Sequence, residues 1–288
     1  MTPFSIVARG RLVEYRRPVV MGILNITDDS FYDGGRHRSP DAMLAHAHRL
    51  LADGADIIDL GASSSRPGAQ LLPPDEEALR LAQALRLLRS ELPDAVISVD
   101  TCFALPARTA VEAGADIVND IGGGDLDPLM FNTVAELQVP YILMHGGLQH
   151  TRQVHSPVPA DAAANPDTLV DNIVRFFSSR LDTLYRLGVK DVWLDPGFGF
   201  AKNADENLRL LDRLDELTSL FREPVLVGLS RKRMIYQPLA LTPDEALPGT
   251  IALDAIALDR GASILRVHDP RPAAETITLM QKMKTSLP

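Results

Sequence analysis

The segment VWLDPGFGFAKN, residues 192–203, shows most clearly the unit from which the fold is built. Its first three residues form an apolar run typical of a buried strand, and the run ends at Asp195 because Pro196 cannot donate to a β-ladder. Two glycines follow, and Asn203 with Glu206 three residues later is typical of a capping box that begins a helix. This order predicts a βα unit whose turn lines a binding site. A tight turn in which Asp195 only caps the helix is the alternative interpretation.

The same unit recurs along the chain of 288 residues. We count about eight apolar runs rich in Val, Ile and Leu, alternating with about eight segments of helical period, as expected for a parallel sheet covered on both faces. The pattern predicts one domain over residues 1–288, a (β/α)8 TIM barrel with an N-terminal β-hairpin over residues 4–14 that turns at Arg9-Gly10. An open doubly wound sheet is the alternative. Its G-x-G-x-x-G fingerprint is absent after the first strand.

Composition limits the possible partners. The net charge of −9 argues against nucleic acid, and no stretch approaches the ~20 apolar residues of a membrane span. The single cysteine, Cys102, rules out an intramolecular disulfide and is predicted to be a small buried residue. Charged residues near the N-terminus interrupt any signal-peptide core. We therefore expect a cytoplasmic protein with neither nucleic-acid nor membrane partners.

Hydrogen-bonding or charged side chains follow nearly every predicted strand. In a TIM barrel the carboxyl ends of the strands meet at one rim, where the active site lies. The sequence therefore predicts a polar ring at that rim. Its members, in chain order, are Asn25, Ser65 with Arg66, Asp100, Asn119, His145, Asp195, Ser230 with Lys232, and Arg266 with His268.

One side of the predicted ring is suited to a phosphate group. Arg266 and His268 are two apart on one strand, so both can face the same side and donate to one anion. Asn25 can offer an oxygen to a metal or a donor to phosphate. In the alternative interpretation Arg266 merely neutralises Asp269.

The other side is suited to a flat heterocycle. Asp100 and Asp195 can accept from its N–H groups, Asn119 can do both, and Lys232 can serve its carbonyl or ring nitrogen. Asn119 could instead bond only to its own backbone.

The remaining histidines are weaker candidates. His145 at a strand end is more typical of a packed core histidine than of a catalyst, and His46 and His48 face different sides of a predicted helix. No zinc spacing of the H-E-x-x-H or C-x2-C kind is present. Residues 28–35 and 146–165 are predicted loops, the first a mobile loop over the site and the second a lid or a mobile segment.

Seven motifs together resemble the dihydropteroate synthase family from about residue 18 to residue 280. They are GILNIT at 22–27 with DSF and DGG before residue 36, SSRPG at 64–68, SVDT at 98–101, ND at 119–120, DPGFGF at 195–200, GLSRK at 228–232 and RVHD at 266–269.

The resemblance implies a TIM-barrel transferase of folate synthesis, a homodimer and a target of sulfonamides. It joins 6-hydroxymethyl-7,8-dihydropterin diphosphate to 4-aminobenzoate, giving 7,8-dihydropteroate and pyrophosphate with Mg²⁺. It implies pterin binding by Asp100, Asn119, Asp195 and Lys232, diphosphate binding by Asn25 (through Mg²⁺), Arg66, Arg266 and His268, and aminobenzoate binding by Ser65, Pro67, Phe200, Ser230 and Lys232. Catalysis is assigned to Asp33, Lys232, Arg266 and His268, with the loop that carries Asp33 closing over the site.

The chain departs from the family pattern at four places. Asp28 stands where Pro is usual, Ser63 where Glu is usual and Arg233 where a small residue is usual, and His145 is followed directly by Gly146-Gly147. These departures bear on the loop and on the aminobenzoate side, and so on sulfonamide affinity. Two other functions stay open, a pterin-binding homologue without turnover and a corrinoid methyltransferase that uses methyltetrahydrofolate.

Overall fold

The computed structural model describes residues 3–26, 40–62, 71–146 and 166–286. In chain order its helices and strands are β1 (Phe4–Ala8), β2 (Arg11–Tyr15), β3 (Val19–Asn25), α1 (Pro40–Ala52), β4 (Ile57–Gly61), α2 (Pro74–Glu91), β5 (Val96–Asp100), α3 (Ala104–Glu112), β6 (Ile117–Asp120), α4 (Met130–Leu137), β7 (Tyr141–Met144), α5 (Pro166–Arg186), β8 (Val192–Asp195), α6 (Ala204–Asp212), α7 (Leu214–Leu220), β9 (Leu226–Val227), α8 (Arg233–Tyr236), α9 (Leu247–Asp259), β10 (Ile264–Val267) and α10 (Pro270–Ser286). A short 3-10 helix, Pro243–Glu245, precedes α9.

Strands β3 to β10 form a barrel in which each strand pairs in parallel with its neighbours in sequence. The hydrogen-bonded order is β8-β7-β6-β5-β4-β3-β10-β9, and a parallel bridge between Leu194 and Val225 joins β8 to the start of β9. The first and last barrel strands pair with Arg266 opposite Met21. The predicted (β/α)8 barrel is confirmed, and the open doubly wound sheet is wrong because the sheet closes on itself.

The alternation of each strand separates the core from the site. Residues such as Val20, Ile58 and Val99 face outward and pack with the helices in one large apolar cluster. Residues of the opposite parity face inward, and near the strand starts they form a second apolar cluster around Trp193 and Met21. Because side chains alternate with a period of two, the next inward position on several strands carries a polar residue nearer the carboxyl end.

The N-terminal hairpin caps the amino end of the barrel. Its turn at Arg9-Gly10 has positive φ at both residues, as a two-residue hairpin turn requires, which confirms the predicted position. Phe4 lies edge-on to Trp193, with ring centroids 5.5 Å apart. The hairpin's inner face therefore packs against the apolar layer at the strand starts, away from the carboxyl rim.

Two elements differ from the sequence prediction. The helix predicted over residues 203–217 is two helices, α6 and α7, because Arg213 leaves the helical conformation between them. The strand predicted over residues 225–230 is a two-residue ladder, since the chain turns after Val227 toward residues 228–232. Among the described residues no helix is long and apolar enough to cross a membrane.

Candidate active site

The carboxyl rim of the barrel brings together polar residues that are far apart in sequence. Asn25, Asp100 and Asp195 are the last residues of β3, β5 and β8. Asn119 lies directly opposite Asp100 in the ladder between β5 and β6. Arg266 lies on β10, one residue before that strand ends. The rim thus gathers carboxylates, amides and a guanidinium at one end of the molecule.

Arg266 is the centre of a buried ion-pair network. Its Nε donates to Asp59 Oδ2 at 2.6 Å, and its Nη2 donates to Asp100 Oδ2 at 2.8 Å. Asn119 Nδ2 also donates to Asp59 Oδ2, at 3.1 Å. Two of the three predicted pterin ligands from β5, β6 and β8 are therefore tied to the predicted diphosphate ligand, one directly and one through Asp59.

The alternative pairing of Arg266 with Asp269 is wrong. Asp269 accepts from the guanidinium of Arg231, at 3.0 Å from Nε and 2.9 Å from Nη2. Arg231 lies in the turn after β9, where its backbone has a positive φ of 57°. Arg266 instead donates to Asp59 and Asp100 in the barrel interior.

Asp59 is a site residue that the sequence analysis missed. Its side chain is fully buried on β4, and Oδ1 has no hydrogen-bond partner within the described ranges. A signal existed in the sequence, because Asp59 is a charge inside the apolar run Ile-Ile-Asp-Leu-Gly. It is two residues from Ile57, whose side chain faces inward, so the period of two places Asp59 in the barrel interior.

Burial sets the protonation of the acids at the rim. It raises the pKa of Asp100 to about 7, against the opposing effect of Arg266, and the negative charges of Asp59, Asp120 and Asp195 raise it further. Burial also raises the pKa of Asp195, while Lys232 and the backbone N–H of Gly197 lower it. These acids therefore need nearby cations or N–H donors to stay ionised.

Lys232 lies between the acids and the aromatic loop. Its Nζ donates to the backbone oxygen of Phe198 at 2.5 Å and lies 4.7 Å from the centroid of the Phe200 ring. Burial lowers the pKa of Lys232 to about 8, although Asp195 raises it. Gly199 has a φ of +77°, and an added Cβ would lie 2.9 Å from Lys232 Cδ, so glycine is favoured where the lysine side chain passes. The arrangement holds an ammonium, a carbonyl and a buried aromatic face together.

Ser230 contacts His268 in this structure. The backbone N–H of His268 donates to Ser230 Oγ at 3.3 Å, and Oγ lies 3.0 Å from His268 Nδ1. The hydroxyl hydrogen can then point to Nδ1, which leaves the proton of the neutral ring on Nε2. Burial and the positive charges of Arg266 and Arg231 lower the pKa of His268 to about 4, so the ring is neutral at pH 7.

Several predicted site residues lie outside the described ranges. They are Asp33 of the predicted mobile loop, and Ser65, Arg66 and Pro67 of the segment after β4. Two of the family departures, Asp28 and Ser63, lie there as well, as does nearly all of residues 146–165. Their roles stay predictions.

The secondary candidates are packed or peripheral. The ring of His145 lies edge-on to Phe176 at 5.1 Å, and burial and the charge of Lys202 lower the pKa of His145 to about 3. Cys102 is buried with a free thiol, as predicted. Within the described ranges, no group of three or more His, Cys, Asp or Glu residues could hold a metal ion.

The comparisons with known proteins agree on one family. The sequence profile described as "Pterin binding enzyme" matches residues 21–268. The dihydropteroate synthase of Streptococcus pyogenes is 37% identical over 278 residues, which cover 95% of this chain and 98% of that protein.

Solved structures superpose over almost the whole chain. A Yersinia pestis dihydropteroate synthase with a sulfonamide drug complex has a TM-score of 0.85 and 37% identity, covering 99% of this chain and 100% of that one. A Xanthomonas albilineans dihydropteroate synthase with 4-aminobenzoic acid has a TM-score of 0.86 and 36% identity, covering 100% of both chains. This chain therefore belongs to the pterin binding enzyme family and groups with its dihydropteroate synthases.

Proposed function

We propose that this chain is a dihydropteroate synthase. It condenses 6-hydroxymethyl-7,8-dihydropterin diphosphate with 4-aminobenzoate and releases pyrophosphate. The observation that carries the proposal is the buried network of Asp59, Arg266 and Asp100, with Asp195 and Lys232 in the same electrostatic cluster, in a chain 37% identical to a named synthase. A corrinoid methyltransferase has no diphosphate to bind, so it gives no purpose to Arg266 and His268 on this rim.

The acids and the amide are suited to the pterin ring. Asp100, Asn119 and Asp195 present carboxylate and amide groups that can accept from the N–H groups of the heterocycle. Such acceptance stabilises the charged form of both acids, because hydrogen bonds to a carboxylate lower its pKa. Binding of the ring would thus offset the rise in the pKa of Asp100 and Asp195 that burial causes.

The opposite side is suited to the diphosphate. Among the described residues, Arg266 bonds through Nε and Nη2, which leaves Nη1 to donate to the diphosphate, and His268 can donate from Nε2. Asn25, exposed at the end of β3, would offer one oxygen to Mg²⁺. A single amide is sufficient when the ion is held mainly by substrate phosphates and water, as Mg²⁺ prefers. When bound, the ion would neutralise charge on the leaving diphosphate.

The reaction needs no nucleophilic side chain from the protein. The amine of 4-aminobenzoate forms the new C–N bond to the exocyclic methylene carbon while the C–O bond to diphosphate breaks. The electron pair of that bond leaves with pyrophosphate, and the amine loses a proton to pyrophosphate or water. The protein lowers the barrier by holding both substrates in place and by stabilising the charge that develops.

The aminobenzoate would lie against Phe200 near Lys232. The buried Phe200 ring offers an apolar face, and the ammonium 4.7 Å from its centroid offers a positive charge. We assign Ser65 and Pro67 to the same side. Ser230 would act there through His268, since its hydroxyl faces that ring.

The proposal extends to the assembly and the location of the enzyme. We infer a homodimer that works in the cytoplasm on small molecules, with no nucleic-acid partner. The single cysteine supports the cytoplasm and the net charge of −9 argues against a nucleic-acid partner, whereas the homodimer is inferred from the family resemblance alone.

One assay tests the function. Purified protein is supplied with the pterin diphosphate, 4-aminobenzoate and Mg²⁺, and pyrophosphate release is followed together with dihydropteroate formation. We expect both products in equal amounts and their loss on chelation of Mg²⁺. Pterin binding by calorimetry without any product would instead identify a binding homologue. Transfer of a methyl group from methyltetrahydrofolate to a corrinoid would identify the methyltransferase.

A further inference from the structure

A second lysine, Lys202, lies in the same electrostatic cluster and has no role in the function proposed above. Its Nζ lies 3.2 Å from the backbone oxygen of His145, 3.0 Å from that of Gly197 and 3.1 Å from that of Phe200. His145 Nδ1 is a fourth neighbour, at 3.2 Å. An ammonium has three hydrogens, so these oxygens and the imidazole nitrogen use all of its donors.

The contacts of Lys202 join two separate parts of the rim. His145 follows β7, whereas Gly197 and Phe200 belong to the loop between β8 and α6, residues 196–203. Gly197 approaches β7 so closely that a Cβ there would collide with the His145 oxygen. The lysine therefore fastens the loop where its backbone is already pressed against the neighbouring strand end.

The same loop presents two groups to Lys232. The backbone oxygen of Phe198 accepts from its ammonium, and the Phe200 ring lies beside it. Both groups are within four residues of Lys202 in sequence, and Lys202 binds the Phe200 carbonyl directly. A change in the loop at Lys202 would thus displace the surroundings of Lys232.

The rest of the loop is fixed from its other side. Asn207 accepts from the backbone N–H of Gly199 at 2.6 Å and donates to the Lys202 oxygen at 3.1 Å. Asn203 and Glu206 form the capping box of α6. These contacts secure the end of the loop that joins α6, and Lys202 secures the end that joins the barrel.

We propose that Lys202 is a positioning residue, which fastens the loop of residues 196–203 to the end of β7 and thereby sets the place of Lys232 and Phe200 in the site. This inference rests on the proposed synthase function for its kinetic readout. The contacts of the Lys202 ammonium are with protein groups. It acts through the backbone of the loop.

The charge of Lys202 adds a second consequence. The charged groups that act on it are Asp195 from β8, Lys232 after β9 and Glu206 from α6, and burial lowers the pKa of Lys202 to about 7. In return its positive charge lowers the pKa of Asp195. Removing that charge raises the pKa of Asp195, so the acid limb of the kcat/KM profile should move to higher pH.

Three substitutions separate the parts of this role. Lys202→Arg keeps the charge and the donors, Lys202→Gln keeps donors without charge, and Lys202→Met keeps the length alone. We expect Met to lower kcat/KM for 4-aminobenzoate by about tenfold or more, because small displacements of binding groups have effects of that size. Arg should stay within about threefold of wild type, and Gln should fall between, with the shifted acid limb.

The exposed Lys190 provides the control, and Lys190→Met should match wild type. Pterin affinity by calorimetry and the unfolding temperature are measured on every variant. A Met variant with wild-type kinetics and pH profile would overturn the proposal, as would equal losses in Arg, Gln and Met that track the unfolding temperature. If wild type itself gives no product, the synthase function fails separately, and the pterin affinities of the Arg, Gln and Met variants still decide the role of Lys202.

Discussion

At the scale of single residues, the feature of widest consequence is Asp59. It accepts from both Arg266 and Asn119, so one fully buried carboxylate fixes two residues of the proposed pterin and diphosphate sites. Asp59→Asn would turn one acceptor into a donor facing the guanidinium. We expect a loss of stability of roughly 1–3 kcal/mol, because a buried donor loses its partner, together with lower kcat/KM for both substrates.

Denaturant unfolding and steady-state kinetics check this prediction. The matched control is Asp94→Asn, which breaks an exposed ion pair with Arg11 and should change little. An Asp59→Asn variant as stable and active as wild type would show that Arg266 does not depend on that acid.

Lys232 makes a second prediction at this scale. Its ammonium interacts electrostatically with Asp195 and lies next to the Phe200 ring. One group would therefore contact both the pterin and the aminobenzoate. Lys232→Ala should weaken the binding of both substrates, by at least about tenfold each. Calorimetry with each substrate alone measures this, with Lys190→Ala as the control. Loss of affinity for just one of them would assign Lys232 to that substrate's site.

At the scale of elements, the loop between β8 and α6 depends on glycine. Gly197 has a φ of +72°, and a side chain there would meet the His145 oxygen. Gly188, in the turn after α5, has a φ of +91° with nothing within 4 Å of an added Cβ. Both glycines have left-handed backbone conformations, but among the described residues an added side chain would collide with other atoms at Gly197 and not at Gly188. Alanine substitutions at the two positions therefore distinguish the effect of backbone strain from the effect of collision.

We therefore expect Gly197→Ala to lower kcat/KM by about tenfold or more and to lower the unfolding temperature further than Gly188→Ala does. Gly188→Ala should lower the free energy of unfolding by roughly 1–2 kcal/mol. Its kinetics should match those of wild type. Equal stability losses and wild-type kinetics in both variants would mean that the close approach to β7 does not matter.

At the scale of the whole molecule, a buried acid on α9 makes the stability of the fold depend on pH. Asp254 lies on α9, and burial raises its pKa to about 8, with no hydrogen-bond partner for Oδ1 among the described residues. The unfolded chain releases this proton near pH ~4, whereas the folded chain keeps it to about pH 8. The folded state therefore binds more protons in that window, and stability falls as the pH rises through it.

Asp254→Asn removes the ionisation and keeps the shape. At pH 5 we expect the variant to unfold at nearly the same temperature as wild type. At pH 8 it should unfold at a higher temperature, with a free energy of unfolding larger than that of wild type by roughly 1–3 kcal/mol. Thermal unfolding across pH measures the difference. Asp259→Asn, at the exposed end of the same helix, should show no such growth with pH. A constant gap between Asp254→Asn and wild type would contradict the prediction.

The barrel could be predicted from the sequence, because hydrophobic period and turn chemistry are local properties. Apolar runs for buried strands, the capping box at Asn203 and the two-residue turn at Arg9-Gly10 can each be read within a few residues. The period of two also places Asp100 and Arg266 inside the barrel near its carboxyl end. The family motifs then identify most of the rim.

The partners of those residues became known from the folded structure. Arg266 and Asp59 are 207 positions apart. The period of two can place Asp59 in the barrel interior, but no local pattern says that its carboxylate pairs with Arg266. In the sequence Lys202 is an ordinary residue before a helix. Its contact with the backbone oxygen of His145, directly after β7, is seen in the folded structure. Ion pairs such as the one between Arg266 and Asp59 form between residues that come close when the barrel closes. Hydrophobic periodicity, in contrast, can be recognised from residues that are neighbours in sequence. For this reason the architecture could be predicted from the sequence, whereas the hydrogen bonds and ion pairs of the site could not.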